Sequence, residues 1–73
     1  MPKLRSLSGR EVRSILEANA FVFVSQSGSH MKMQRKLEAA TVTVIVPDHK
    51  EMKIGTLTSI IRQSGLSREL FES

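Results

Sequence analysis

The stretch that decides the fold reads FVFVSQSGSHMKMQRKLEAATVTVIV and covers residues 21–46. In and beside it lie three segments with the composition and spacing of β-strands: Ala20–Ser25, His30–Lys36 and Thr41–Val46. The first has apolar β-formers at both odd and even positions, and hence on both faces of a strand, which predicts a strand covered on both faces or twisted into a core. The second alternates, with its methionines on one face and His30, Lys32 and Gln34 on the other.

Both connections between these strands are short. Gln26–Ser29 is predicted to turn, because Gly28 supplies the positive φ that tight hairpins need. Leu37–Ala40 makes the second connection, and two short connections imply an antiparallel meander. Pro47 is expected to end the third strand, because it has no amide hydrogen to donate to a ladder.

A helix is predicted before the first strand, from Gly9 to Asn19. Ser8 and Glu11 have the spacing of a capping box, in which each side chain accepts a hydrogen bond from the other residue's amide. Apolar residues then recur at helical spacing, so one stripe can face a core. Arg10 and Arg13 fall on the remaining surface of this helix.

A second helix is predicted after the third strand, from Thr56 to Ser64, where Leu57 begins an apolar stripe. Gly65 stands where a helix takes a left-handed terminal residue. A last helical turn is expected at Arg68–Phe71, with Leu70 and Phe71 buried.

The predicted order is therefore α-β-β-β-α, in an α+β domain that spans residues 1–73. Two helices are expected on one face of a three-stranded antiparallel sheet. The opposite face stays open, because the chain has no further element to cover it. In architecture this is similar to a double-stranded-RNA-binding domain, an analogy that carries little functional weight by itself.

Composition narrows the class of partner. The net charge is +4 and the isoelectric point is near 10.1, which favours a polyanion such as nucleic acid, although a merely basic protein has the same charge. Cysteine is absent, which excludes disulfides and fits a reducing cytoplasm. No apolar run approaches the roughly 20 residues of a membrane span, and no secretory signal is expected.

His30 is the sharpest candidate for chemistry, since it opens a strand on the polar parity directly after the predicted turn. Histidine exchanges protons near neutral pH, and RNA carries its own nucleophile in the 2′-hydroxyl. A surface histidine without function remains the alternative. His49 is a weaker candidate for a second proton-transfer group, and two histidines without cysteine do not predict a metal site.

The remaining candidates would bind RNA. They form a predicted rim around the open sheet face and comprise Ser29, Lys32, Arg35, Lys36, Lys50 and Lys53. For the cations among them, simple solvation of a small protein is an equally good explanation.

The whole pattern resembles the HicA toxins, small mRNA-cleaving proteins of toxin–antitoxin modules. The matching motifs, in order along the chain, are Pro2–Leu4, Leu7–Val12, Phe21 with Gly28–His30, Val46–Glu51, Gly55–Leu57, Ile60–Gln63 and Gly65–Ser67. The resemblance implies a fold similar to the double-stranded-RNA-binding domain and endoribonuclease activity with His30 as the catalytic residue. It also implies inhibition by a HicB-type antitoxin, and no cofactor.

Three positions depart from the pattern of the family it resembles. Glycine is frequent where Ala20 stands, a change that we expect to cost little. Arginine and lysine are frequent where Ser25 and Ser27 stand, so the phosphate is expected to be held less tightly beside His30 unless other cations substitute.

Two other classes of function stay open. A non-catalytic double-stranded-RNA-binding module would use the same basic rim, although so short a chain would cover only part of the roughly 16 base pairs that such domains span. A protein-interaction adaptor would show no affinity for RNA at physiological salt.

Overall fold

The computed structural model describes residues 3–72. Its elements, in chain order, are helix α1 (Gly9–Ala18), strands β1 (Val22–Ser27), β2 (His30–Lys36) and β3 (Thr41–Pro47), helix α2 (Ile54–Ser64) and a 3-10 turn (Arg68–Phe71). This is the predicted α-β-β-β-α order, and it is compatible with the fold that the resemblance implies. Met1, Pro2 and Ser73 lie outside the described residues, so the outer bounds of the domain stay a prediction.

The sheet is an antiparallel meander in the order β1-β2-β3, as predicted. Only one of its faces is buried. The sheet contributes Met31, Met33, Val44 and Val46 to the core, and the helices contribute a second set, Val12, Leu16, Leu57 and Ile60. Because Met31 pairs with Val46 and Met33 with Val44, these four side chains lie on one face, which both helices cover, and the other face stays open.

Helix α1 begins with the predicted capping box. Ser8 Oγ accepts a hydrogen bond from the Glu11 amide at 3.1 Å, and Glu11 Oε1 accepts one from the Ser8 amide at 2.9 Å. Hydrogen bonding to Ser8, first with its amide and second with its hydroxyl, lowers the pKa of the Glu11 carboxyl below its ordinary value. The helix ends at Ala18, one residue before the predicted end.

The chain leaves α1 through a left-handed residue. Ala20 has a φ of 72°. A residue with a Cβ atom pays roughly 1–2 kcal/mol in this region, where glycine pays almost nothing. The expectation that alanine at this position costs little is therefore wrong.

Strand β1 differs most from its prediction. It begins at Val22 rather than Ala20, extends to Ser27, and all its residues are exposed. The expectation of a strand covered on both faces is wrong, because β1 is an edge strand whose outer face is bare and whose inner face is only partly covered. The buried aromatic of this region is Phe21, just before the strand.

A bulge in β1 sets which of its side chains face outward. The register with β2 shifts between Phe23 and Ser25, and beyond the shift Ser25 pairs with Lys32 and Ser27 with His30. The extra residue reverses the alternation, so the two serines share the open face with Lys32 and His30.

The C-terminal part matches its prediction with two differences. Helix α2 starts at Ile54, two residues before the predicted start, and Gly65 ends it with a φ of 72°, as predicted. Ser67 caps the 3-10 turn. Phe71 is buried as expected, but Leu70 is 40% exposed, so that part of the prediction is wrong.

The tail is tied to the start of the described chain. The Arg5 amide donates a hydrogen bond to the Phe71 carbonyl at 2.8 Å, and Leu4 pairs with Glu72 in an isolated antiparallel bridge. Among residues 3–72, no helix combines the length and the apolar character needed to cross a bilayer.

Candidate functional site

His30 lies where the ends of all three strands meet. It is the first residue of the central strand, paired with Ser27 on β1 and with Pro47 on β3, and it is exposed. The turn before it is a two-residue hairpin, in which Gly28 has a φ of 59°. A positive φ at the first central residue alone fits a type II′ turn, whose twist matches that of the flanking strands.

The open face around His30 carries few of the predicted cations. Lys32 lies two positions along β2 on the same parity and is half-buried, opposite Ser25 and Ile45. Lys36 shares that parity but lies at the far end of β2, about 20 Å from His30 at 3.3 Å per residue. Arg35 has the opposite parity and pairs with Val42, so it lies on the helix-covered side.

The loop after β3 is fastened to the hairpin that carries His30. The Asp48 amide donates a hydrogen bond to the Ser29 carbonyl at 2.6 Å, so the backbone of predicted site residue Ser29 anchors this loop. The Asp48 carboxylate in turn forms an ion pair with Arg10 of α1, with 3.3 Å between Arg10 Nε and Asp48 Oδ1. Hairpin, loop and helix thus form one connected unit.

The N-terminus of α1 meets this loop at very close range. The Gly9 amide donates a hydrogen bond to the His49 carbonyl at 2.8 Å. A Cβ atom added at Gly9 would overlap the Pro47 carbonyl oxygen and lie 3.0 Å from the Asp48 Cα. Gly9 is buried and allows the helix to approach the backbone of the loop.

A cavity of about 360 Å³ opens where α1 meets the loop. Its lining residues are Ser8, Arg10, Asp48, His49 and Lys50. The structure thus brings the predicted candidates His49 and Lys50 together with an arginine that the sequence reading had left on the helix surface. Lys53, the residue before α2, is exposed but does not line this cavity.

A second cavity, of about 280 Å³, separates α1 from β1 on the helix side of the sheet. Its lining includes Arg10, Arg13, Ser14, Glu17, Gln26 and Asp48. Arg10 and Asp48 line both cavities. His30 lines neither, because it lies on the open face, whereas its neighbour Met31 lies on the helix side and lines this cavity.

Arg10 and Gln26 are the residues that the sequence reading missed. Arg10 was assigned to the solvated side of α1, and Gln26 to the turn. No local pattern places either beside the hairpin, because their positions depend on the contact between Gly9 and Pro47 and on the bulge in β1. The glycine directly after a helix cap was the available signal, since it permits close backbone approach.

The electrostatics of this region suit a polyanion. The Arg10 side chain is 80% exposed, so its ion pair with Asp48 contributes little to stability and an incoming phosphate can replace it. Around this end of the sheet lie the exposed imidazole of His30, Lys32 on the open face, and Arg10 with Lys50 at the cavity.

Comparison with known proteins agrees with this picture. A family model described as the HicA toxin of bacterial toxin–antitoxin matches residues 9–66, which include the hairpin, the loop after β3 and both helices. No curated protein matches the chain closely enough for comparison. Because the match covers most of the described chain, this protein belongs to the HicA toxin family and is the toxin of a toxin–antitoxin module.

Proposed function

We propose that this toxin is an endoribonuclease that cleaves mRNA, with His30 as its proton-transfer group. The observation that carries the proposal is the position of His30. The residue is exposed at the rim of a rigid hairpin, on the open sheet face, and beside a loop that brings cations to the same end of the sheet.

The reaction needs no nucleophile from the protein. His30 removes the proton from a ribose 2′-hydroxyl, and the resulting 2′-oxygen attacks the adjacent phosphorus. The bond from phosphorus to the 5′-oxygen breaks, and that oxygen takes up a proton. The products are a 2′,3′-cyclic phosphate and a 5′-hydroxyl. His30 supplies base, acid, or both in turn, and exposed His49 in the neighbouring loop is the second proton-transfer candidate.

Cations stabilise the charge that builds up on the phosphate. Lys32 shares the face of His30, and Arg10 and Lys50 line the cavity on its other side. Ser29 acts through its backbone, which holds the loop, and Lys53 extends the cationic surface beyond Lys50. Lys36 lies too far along β2 for the cleaved bond, and we assign it to RNA further along the open face, whereas Arg35 lies on the helix-covered side and takes no part in this scheme.

The test is cleavage of mRNA by purified protein in EDTA, comparing the wild type with His30→Ala. Removing a general acid or base typically slows a reaction about 10²- to 10⁴-fold, and we expect a loss in that range. His49→Ala tests the second candidate: a loss of similar size would assign it the other proton transfer, and a far smaller loss would leave both transfers to His30. Circular dichroism must show that both variants fold. A folded His30→Ala variant that still cleaves at the wild-type rate would refute the role of His30.

The other reading is a module that binds double-stranded RNA without cutting it, and the α-β-β-β-α order is compatible with it. The same incubation separates the two. Salt-sensitive retention of intact duplex, with no cleavage of single- or double-stranded RNA, would favour the module.

The family implies a cognate antitoxin, and we propose that it is of the HicB type and inhibits by covering His30. A partner that neutralises Lys32, Arg10 and Lys50 should be acidic where it docks. Both proposed partners, mRNA and antitoxin, place the activity in the cytoplasm. Hydrogen exchange of the complex should show protection at the hairpin; protection confined to α2 would contradict this mode of inhibition.

A further inference from the structure

The cavity between α1 and β1 shares Arg10 and Asp48 with the first cavity, but the rest of its polar lining has no role in the chemistry proposed above. It measures about 280 Å³, just below the roughly 300–1,000 Å³ of typical small-molecule sites. Its walls are polar and charged on both sides, with Arg13 and Ser14 on the helix and Gln26 on the strand. A space of this size and lining suits one planar, polar ring rather than a long apolar ligand.

One wall of the cavity provides a stacking surface. The Arg13 guanidinium carbon lies 4.0 Å from the centroid of the Phe23 ring. Its Nε also lies 3.5 Å from Glu17 Oε2, so two contacts hold the group in place. The Arg13 side chain keeps 32% of its surface exposed, and RNA bases commonly stack on arginine planes of this kind.

The other walls present hydrogen-bond acceptors. Gln26 Nε2 donates to the Gly28 carbonyl at 2.9 Å, which fixes the amide and leaves Oε1 to accept. Ser14 Oγ donates to the Arg10 carbonyl at 3.1 Å and retains its lone pairs. The carboxylates of Glu17 and Asp48 are paired with Arg13 and Arg10, so Gln26 Oε1 and Ser14 Oγ are the two neutral acceptors on facing walls. Adenine, cytosine and guanine offer the two hydrogens of an exocyclic amino group to this pair of acceptors, whereas uracil offers the single hydrogen of N3.

The cavity adjoins the hairpin of His30. Gln26 is bonded to the turn residue Gly28, its neighbour Ser27 pairs with His30, and Asp48 on the opposite wall donates its amide to Ser29. We propose that this cavity binds the base of a nucleotide next to the cleaved phosphate and prefers bases that carry an exocyclic amino group. The proposal rests on the proposed ribonuclease function and adds the origin of its sequence preference.

The test measures binding of three 2′-O-methyl hexamers, of adenosine, cytidine and uridine, by fluorescence anisotropy. These RNAs lack the 2′-hydroxyl nucleophile, so the wild-type protein can be used without cleavage. We expect the adenosine and cytidine hexamers to bind more tightly than uridine. Gln26→Ala should weaken their binding about three- to ten-fold, the effect of one lost hydrogen bond, and weaken uridine less.

Gln34→Ala is the matched control. Gln34 is also a strand residue whose Nε2 donates a hydrogen bond, to Thr43 Oγ1 at 3.2 Å, but it lies on the open face away from the cavity. Its replacement should leave the preference among the three hexamers unchanged. Ser14→Ala tests the opposite wall without weakening the helix, since alanine is the best helix former, and should also reduce the preference for amino-bearing bases.

The outcomes separate this inference from the proposed function. Equal affinities of the Gln26→Ala and Gln34→Ala variants for all three hexamers would overturn the base-binding cavity, even if the wild type cleaves mRNA. A preference that depends on Gln26 and Ser14, in a protein that never cleaves RNA, would support the cavity and refute the nuclease.

Discussion

Strands β1 and β3 are the two edges of one sheet, yet the protein uses them differently. Helix α2 packs against β3, and Val44 and Val46 are fully buried beneath the helices. No residue of β1 is buried, and helix α1 stands far enough from it to leave a cavity. Both strands are rich in apolar residues, so the difference comes from how closely a helix covers each of them. The β3 side stabilises the fold, and the β1 side leaves polar and cationic groups accessible to a ligand.

Helix α1 contacts both β1 and β3, and at Gly9 its backbone closely approaches the end of β3. We predict that Gly9→Ala destabilises the protein by about 3 kcal/mol, because its Cβ would overlap backbone atoms at the end of β3 that cannot rotate away. Gly55→Ala is the control. It lies in the first turn of α2 with no atom within 4 Å of the added Cβ, and should stabilise by about 0.5 kcal/mol. Urea denaturation measures the free energy of unfolding of both variants, and equal midpoints would contradict the close contact of Gly9 with the Pro47 carbonyl.

The second prediction compares one valine from each edge. Val44→Ala should cost about 2 kcal/mol, because it removes buried methyl groups from a fully covered position and leaves a void. Val24→Ala should cost less than about 0.5 kcal/mol, because that side chain is 45% exposed at the β1 bulge. Similar losses of unfolding free energy would mean that β1 is covered in solution and that the two edges are alike.

The same contrast explains what could be predicted from the sequence. Strand β2 has the predicted bounds, and β3 runs one residue further than predicted. Both strands could be predicted because their signals are local: Met31 and Met33 alternate with polar residues in β2, and Pro47 ends a valine-rich run in β3. The covering of β1 was predicted wrongly, because burial of an apolar strand depends on a helix that lies elsewhere in the sequence. The bulge that reverses its alternation leaves no signature in the residues themselves.

The residues of the candidate site likewise fall into those that local sequence predicts and those whose positions depend on distant contacts. His30 was identified from its parity and its turn, both of which are local, and the structure places it exposed at the hairpin. Arg10 was missed, because its approach to Asp48 follows from the distant contact of Gly9 with Pro47. Arg35 was included in the basic rim, although its odd position on β2 gives it the parity of the methionines.

The third prediction adds charge to the β1 side. Ser27 pairs with His30 on the open face, so Ser27→Arg should place a cation beside the proposed reaction centre. We expect several-fold tighter binding of single-stranded RNA at low salt, with a steeper loss of affinity as salt increases. Ser59→Arg adds the same charge on exposed α2, on the other side of the sheet, and should have a smaller effect. An equal gain in both variants would show that net charge, rather than the open face, determines affinity.

The smallest predicted effect concerns the entry into β1, where Ala20 takes a left-handed φ of 72°. Ala20→Gly relieves strain of roughly 1–2 kcal/mol but gives the unfolded chain more freedom, worth about 0.4–1 kcal/mol in the opposite direction. The net expectation is a stabilisation of about 0.5–1 kcal/mol. Ala18→Gly, two residues earlier at the last residue of α1, should destabilise by a similar amount, so the two substitutions differ in sign. Thermal unfolding of both variants decides the matter: destabilisation in each would show that Ala20 is not held in the left-handed region and that the path from α1 into β1 is looser than described.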